Sequence, residues 1–171
     1  MSAPLAKHPG AVLSKHRLFL VFYIGDERFA LPATDVVEIL PRLPLKPIAQ
    51  APVWVAGVFE HRGQMVPVID ISAMAFGNPA VARTSTRLVL VNYGERLLGL
   101  ILEQASDTVR CDPADFQPHG IDNRDAPYLG PVRKDDKGLL QWVEVVDLLS
   151  PAVRALLFPL GPDADSVREP A

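Results

Sequence analysis

Arg17-Leu18-Phe19-Leu20-Val21 and Arg87-Leu88-Val89-Leu90-Val91 are near-copies of one phrase, set 70 residues apart. The first continues to Ile24, meets Gly25-Asp26, and resumes as Arg28-Phe29-Ala30-Leu31. The second continues to Tyr93, meets Gly94-Glu95, and resumes as Arg96 to Ile101. Aliphatic and aromatic runs of strand length, joined by two residues that include glycine, read as β-hairpins.

Working outward, each hairpin is followed by similar material. Asp35-Val36-Val37-Glu38-Ile39-Leu40, echoed by Asp107-Thr108-Val109, is too short for periodicity to decide between helix and strand. Pro41, Pro44, Pro47 and Pro52 then mark an extended connector, because proline fixes φ and removes a backbone donor. Val55 to His61, Arg62-Gly63, and Met65 to Asp70 form a second hairpin, in which Pro67 implies an edge or a bulge. Gly130 to Arg133, a turn at Asp135-Asp136-Lys137-Gly138, and Leu139 to Val143 repeat that hairpin 73 residues on from Gly57. Ile71 to Phe76 reads as a short helix capped by Asp70 and stopped at Gly77-Asn78-Pro79. Val153 to Phe158 reads as a C-terminal helix, with Ser150 as N-cap and Pro151 at the first helical position.

Two units of about 70 residues, each with two hairpins and a linking segment, predict an all-β chain of two small barrels with a groove between lobes. The expected organisation is a loose tail over 1–16, a body over 17–158 with lobes at about 17–86 and 87–158, and a second tail over 159–171.

Composition narrows the function. Of 171 residues, 49% are hydrophobic and 22% charged, which suits a chain that buries a core. Seventeen Lys and Arg against 20 Asp and Glu leave a net charge of −3, a poor match to nucleic acid or an anionic membrane. The strand aromatics Phe19, Phe22, Phe29 and Phe59 sit among aliphatics, as core residues do. The single cysteine, Cys111, has no intramolecular partner for a disulfide. No apolar stretch approaches the ~20 residues of a membrane span, and Lys7-His8-Pro9-Gly10 interrupts the place of a signal-peptide apolar region. A cytoplasmic protein without direct membrane insertion is therefore expected.

The residues lack catalytic logic. His8, His16, His61 and His119 have no metal-site spacing, and there is neither a nucleophile elbow nor a phosphate-cradling loop. Glu38 and Asp70 are candidates for an acid pair, although nothing local joins them and Asp70 suits a helix cap. Gly57 and Gly63 flank a strand that ends in Arg62. An arginine at a hairpin tip either braces two lobes through its planar fork or is simply solvated. Val36, Val37 and Ile39 around Glu38 are either core residues or part of a docking patch.

Three ordered segments carry a resemblance. Gly57-Val58-x-x-x-Arg62-Gly63-x-x-Val66-Pro67-Val68-Ile69-Asp70-Ile71 is similar to the signature of the CheW-like coupling domains of bacterial chemosensory systems. Val36-Val37-Glu38-Ile39, and Leu98-Gly99-Leu100-Ile101 followed by Ala105-Ser106-Asp107-Thr108-Val109, resemble two further segments of that family, so the likeness runs from about Leu18 to Leu157. The resemblance implies an all-β fold of two intertwined five-stranded SH3-like β-barrels with short helices and a C-terminal helix. It implies a non-enzymatic adaptor, without cofactor or metal, that joins the cytoplasmic tip of a methyl-accepting chemoreceptor to the regulatory domain of a CheA-type histidine kinase. The protein would then be recruited to membrane-bound receptor arrays.

Carried over by position, the receptor-binding candidates are Val36, Glu38, Ile39, Leu88 and Gly99. Gly57, Arg62 and Gly63 are the candidates for lobe geometry and kinase coupling. Where the family has Asn-Leu before Arg-Gly, this chain has Glu60-His61, which places a charge and an imidazole near the expected interface. That departure resembles a pathway-specific coupler such as those of Wsp-type surface-sensing systems. The contrasting reading, from the residues alone, is a small-barrel enzyme or a binder of oligonucleotides or small molecules.

Overall fold

The computed structural model describes residues 15–159, so the expected tails fall almost wholly outside it. The twin phrases are strands β1 (Arg17–Ile24) and β6 (Arg87–Tyr93). Each turns into its hairpin partner, β2 (Glu27–Pro32) or the start of β7 (Arg96–Cys111). The undecided segment after the first hairpin is a strand, β3 (Val36–Pro41), entered through a 3-10 turn at Ala33–Asp35. The second pair of hairpins is β4 (Val55–His61) with β5 (Gln64–Asp70), and β8 (Leu129–Asp135) with β9 (Gly138–Val143).

These strands form two curled five-stranded sheets. In the first, β1 lies between β2 and the second half of β7, β2 runs parallel to β9, and β9 is hairpinned to β8. In the second, β6 lies between β3 and the first half of β7, β7 runs parallel to β5, and β5 is hairpinned to β4. One backbone bridge completes each ring: Gln117 with Val132 in the first barrel and Lys46 with Val58 in the second.

The boundary expected near residue 86 separates the repeats but not the lobes. Strand β3 of the first repeat pairs with β6 of the second, and the end of β7 returns to pair with β1. At 16 residues, β7 serves both barrels in succession. It changes barrel beside Gln104, whose φ of +49° marks the irregularity where the ladder to β6 has ended and that to β1 begins.

This arrangement explains the unbroken apolar runs. In β1, Phe19 and Val21 fill the first barrel with Cys111, Phe116 and Leu140. In β6, Leu88 and Leu90 fill the second with Phe59, Val66 and Val68. The intervening residues, Leu20 and Phe22 on β1 and Val89 and Val91 on β6, enter a third cluster that draws on both barrels. A strand buried on both faces loses the alternation of apolar and polar residues. Each large side chain so buried contributes roughly 1.5–3 kcal/mol.

Local signals hold at the helices. Helix α1 (Ile71–Phe76) begins where the Asp70 carboxylate accepts the Ala73 N–H at 3.1 Å, and it ends at Gly77. The other Asp70 oxygen accepts the Ala80 N–H at 2.9 Å, so Asp70 anchors the loop after the helix and takes no part in an acid pair with Glu38. Helix α2 (Pro151–Leu157) is capped by Ser150, and Arg154 Nε donates to the Tyr93 hydroxyl at 3.0 Å. Pro67 pairs with Val58 on β4, and the ladder to β7 starts only at Val68, so the missing donor falls outside that ladder.

Candidate functional site

Among the described residues, strand β3 ends the sheet path and has a neighbouring strand, β6, on one side only. Its side chains alternate between half-buried and exposed. Val36 packs against the cluster between the barrels and Leu40 against the second barrel, while Val37 and Ile39 are 47% and 46% exposed. Two β-branched residues held outward on this edge form an apolar strip that the described residues leave exposed.

Glu38 lies between them. Its Oε1 is 3.2 Å from His61 Nε2 and 3.4 Å from an Arg62 terminal nitrogen. Both partners come from the β4–β5 turn, whose central residues Arg62 and Gly63 have φ of +53° and +79°. A two-residue hairpin turn with both central φ positive matches strand twist, but it costs a residue with a Cβ about 1–2 kcal/mol. Arg62 occupies that position with its side chain 77% exposed, so its contact with Glu38 is screened by water. The His61 side chain is 15% exposed and lies beside the Phe59 ring, with centroids 5.9 Å apart. The imidazole is the held member of the group and the guanidinium the loose one.

The structure thus brings Val36, Glu38, Ile39 and Arg62 into one region. It places two other candidates elsewhere. Leu88 is 1% exposed and Gly99 is also buried, both within the second barrel. A Cβ on Gly99 would lie 2.8 Å from Val68 Cγ2 and 3.2 Å from Leu88 Cδ2. Neither residue is available to touch a partner, which corrects their expected place on a receptor-facing surface. They shape the barrel under β3, since Leu88 pairs with Leu40.

Gly57 also has a packing role. Its φ is +146°, and a Cβ there would stand 2.6 Å from the Lys46 carbonyl oxygen. That carbonyl accepts the Val58 N–H at 2.8 Å, and the Lys46 N–H donates back to Val58 O at 2.9 Å. The bare glycine lets the connector close the second barrel.

A cleft of about 600 Å³ lies elsewhere, with Trp54, Met74, Tyr128, Leu149 and Arg154 among its lining. None of the binding or coupling candidates singled out from the sequence lines it. At the rim of the first barrel, Arg28 makes a two-pronged ion pair with Asp135, at 2.7 and 3.0 Å, joined by Arg133 at 3.3 Å. The hydrogen bonds from Arg28 hold the Asp135 carboxyl below its ordinary range. Burial pushes Asp35, Glu144 and the Cys111 thiol up, so Cys111 is kept in its unreactive protonated form. Among the described residues, no group of three or more His, Cys, Asp or Glu is placed to hold a metal ion. No described helix is long and apolar enough to cross a membrane.

Sequence reasoning missed the partnership of His61 with Glu38. The two lie on different hairpins, and no local spacing links them.

Comparison with known proteins bears on this geometry. The model of the CheW-like domain family matches residues 18–152. Chemotaxis protein CheW of Helicobacter pylori is 29% identical over 101 residues, covering 58% of this chain and 61% of that protein. Chemotaxis protein CheW of Rhizobium meliloti is 32% identical over 103 residues, covering 60% of this chain and 66% of that protein. The matched segment therefore spans just under two thirds of these relatives. The crystal structure of the scaffolding protein TtCheW from Thermoanaerobacter tengcongensis superposes with a TM-score of 0.68 at 20% identity, covering 74% of this chain and 83% of that one. This last likeness is one of fold, and it agrees with the twin SH3-like barrels described above.

Proposed function

The chain belongs to the CheW-like domain family, and from that premise we propose that it is a non-catalytic adaptor. It couples the cytoplasmic tip of a chemoreceptor to a CheA-type histidine kinase within a chemosensory complex. The observation that carries the reading is the edge of β3. There the segment most like the family's receptor-facing motif presents Val37 and Ile39 outward and holds Glu38 beside the hairpin tip of the family signature.

An exposed apolar strip with a fixed polar anchor suits recognition of a helical surface, whose own apolar residues recur at helical spacing. In this reading Val36, Glu38 and Ile39 form the receptor-binding edge. Arg62 and Gly63 set the tip that borders it, and Gly57 fixes the hairpin to the barrel. The kinase regulatory domain docks on the ends of the barrels. Coupling is then a difference in free energy between two assemblies, and ~1–3 kcal/mol is enough for such effects.

The test is direct binding of the purified chain to a chemoreceptor cytoplasmic hairpin fragment and to the regulatory domain of a CheA-type kinase. Both should bind. Glu38→Lys should weaken the receptor fragment by at least about tenfold, which corresponds to ~1.4 kcal/mol, while thermal unfolding shifts little. Failure of the wild-type chain to bind either partner would overturn the adaptor reading. Unchanged receptor affinity in Glu38→Lys would remove β3 from it.

A further inference from the structure

A pocket of about 310 Å³ opens where the chain enters β3. Leu18, Phe19, Pro32 and Trp142 give it apolar walls, and Asp35 and Glu144 also line it. The Trp142 ring is held by T-shaped contacts to Phe19 and Phe116, with centroids 5.1 Å from each. Leu18 is 36% exposed.

The two carboxylates set this pocket apart. Both residues are half-buried, and neither has an ion-pair partner among the described residues. The duplicated fold supplies a comparison. Asp70 and Glu144 hold the same place in their repeats: the Asp70 N–H donates to the Trp54 carbonyl at 2.8 Å, and the Glu144 N–H to the Tyr128 carbonyl at 2.7 Å. The Asp70 carboxylate accepts the Ala73 and Ala80 N–H groups. The Glu144 carboxylate caps nothing in the 3-10 turn that follows it, Val145–Asp147. Half-burying a carboxylate without a donor costs free energy that nothing described within the fold offsets. Burial raises the pKa of both acids, and Asp147 and Asp35 raise that of Glu144 further.

We propose that this pocket receives a lysine or arginine side chain of the same helical partner that docks on β3. This rests on the assignment of the β3 edge as the receptor-docking surface, and it extends that surface. The pocket adjoins the edge, because Asp35 immediately precedes Val36, the first residue of β3. Its volume lies at the lower end of the ~300–1,000 Å³ of small-molecule sites, which suits one long side chain and not a whole helix. Its walls match a basic side chain, whose methylene stem lies along apolar surface while the charged head meets carboxylates. A cation there also relieves the repulsion between the two acids. Arg17 is the one base in the lining, and it is exposed and makes no described ion pair with either acid. Asp147, which acts on Glu144, keeps the local balance negative.

The test uses the full chain and the chemoreceptor hairpin fragment at neutral pH. Asp35→Asn, Glu144→Gln and the double variant keep shape and remove charge, and Glu144→Lys places a cation in the pocket. Each amide variant should bind the fragment about fivefold more weakly, the upper end for a partly exposed ion pair. The double variant should lose about tenfold, less than the product, because both acids hold one cation. Glu144→Lys should weaken binding more than Glu144→Gln does. Thermal midpoints of the amide variants should hold or rise, since an uncompensated half-buried charge is removed. Unchanged affinity in the double variant would overturn the pocket, while Glu38→Lys still reports separately on the β3 edge. Lowered midpoints in both single amide variants would assign the carboxylates to the fold and overturn it as well. So would a loss confined to the kinase regulatory domain, which would place the pocket on the other interface. If the wild-type chain binds no fragment, the docking surface itself fails, and the pocket with it.

Discussion

Replacing Gly57 by alanine tests how the second barrel is closed. Two costs follow from the geometry. The first is conformational: at φ of +146° a residue with a Cβ is strained by about 1–3 kcal/mol. The second is a collision, because the new carbon would lie 2.6 Å from the Lys46 carbonyl oxygen, which is backbone and cannot rotate away. Relief means moving the connector, which stretches the 2.8 Å bond from the Val58 N–H and loses roughly 1 kcal/mol. The sum is about 2–4 kcal/mol, a large part of the ~5–15 kcal/mol that stabilises a typical domain. In urea, where such proteins lose about 1–3 kcal/mol per molar, the midpoint should fall by about 1–2 M. Gly63→Ala is the control. Its φ is +79°, but nothing lies within 4 Å of the new carbon, so only the left-handed strain of about 1–2 kcal/mol applies. If Gly57→Ala is no less stable than Gly63→Ala, the argument from close approach is wrong.

Gly99→Ala should destabilise by about 1–3 kcal/mol through overpacking against Val68. Adding Val68→Ala should recover part of the loss, as a double-mutant unfolding cycle would show; strict additivity would mean that the two sites do not touch. Asp135 has its folded-state pKa held below the ordinary value by Arg28. Its stabilising effect is therefore complete above about pH 5, where the unfolded carboxyl is also ionised, and is lost as pH falls through the lower folded value. Asp135→Asn should cost about 2 kcal/mol at neutral pH and flatten the acid limb of a stability profile, and an unaltered limb would count against the pair. Arg62→Ala should leave stability within about 0.5 kcal/mol, because the side chain is exposed, yet lower kinase activation in a reconstituted receptor–kinase assay. Full activation by a stable variant would separate Arg62 from coupling.

Local chemistry was the part most readable from the sequence. The Asp70 and Ser150 caps act on groups three residues away, and the hairpin turns announce themselves by glycine between apolar runs. The twin phrases at Arg17 and Arg87 pointed to duplicated barrels for the same reason. Strand partnership was not readable. Alternation reports which face of a strand is buried but says nothing of which strand lies beside it, so a boundary drawn between the repeats separates β3 and β5 from the strands β6 and β7 they pair with. Leu88 and Gly99 were misplaced through a related ambiguity. In β6 and β7 both faces are covered, and a run such as Leu88-Val89-Leu90-Val91 does not distinguish a barrel interior from a surface. The contact of His61 with Glu38 depends on two hairpins meeting, and that is settled only once the barrels close.

The sharing of β7 has a consequence for any attempt to divide this molecule. Cutting the chain after the first repeat would leave β1 without its β7 neighbour and strip β6 from β3, so neither fragment would carry a complete ring. The two halves must assemble together or fail together. One continuous strand thus makes the closure of each barrel conditional on the presence of the other.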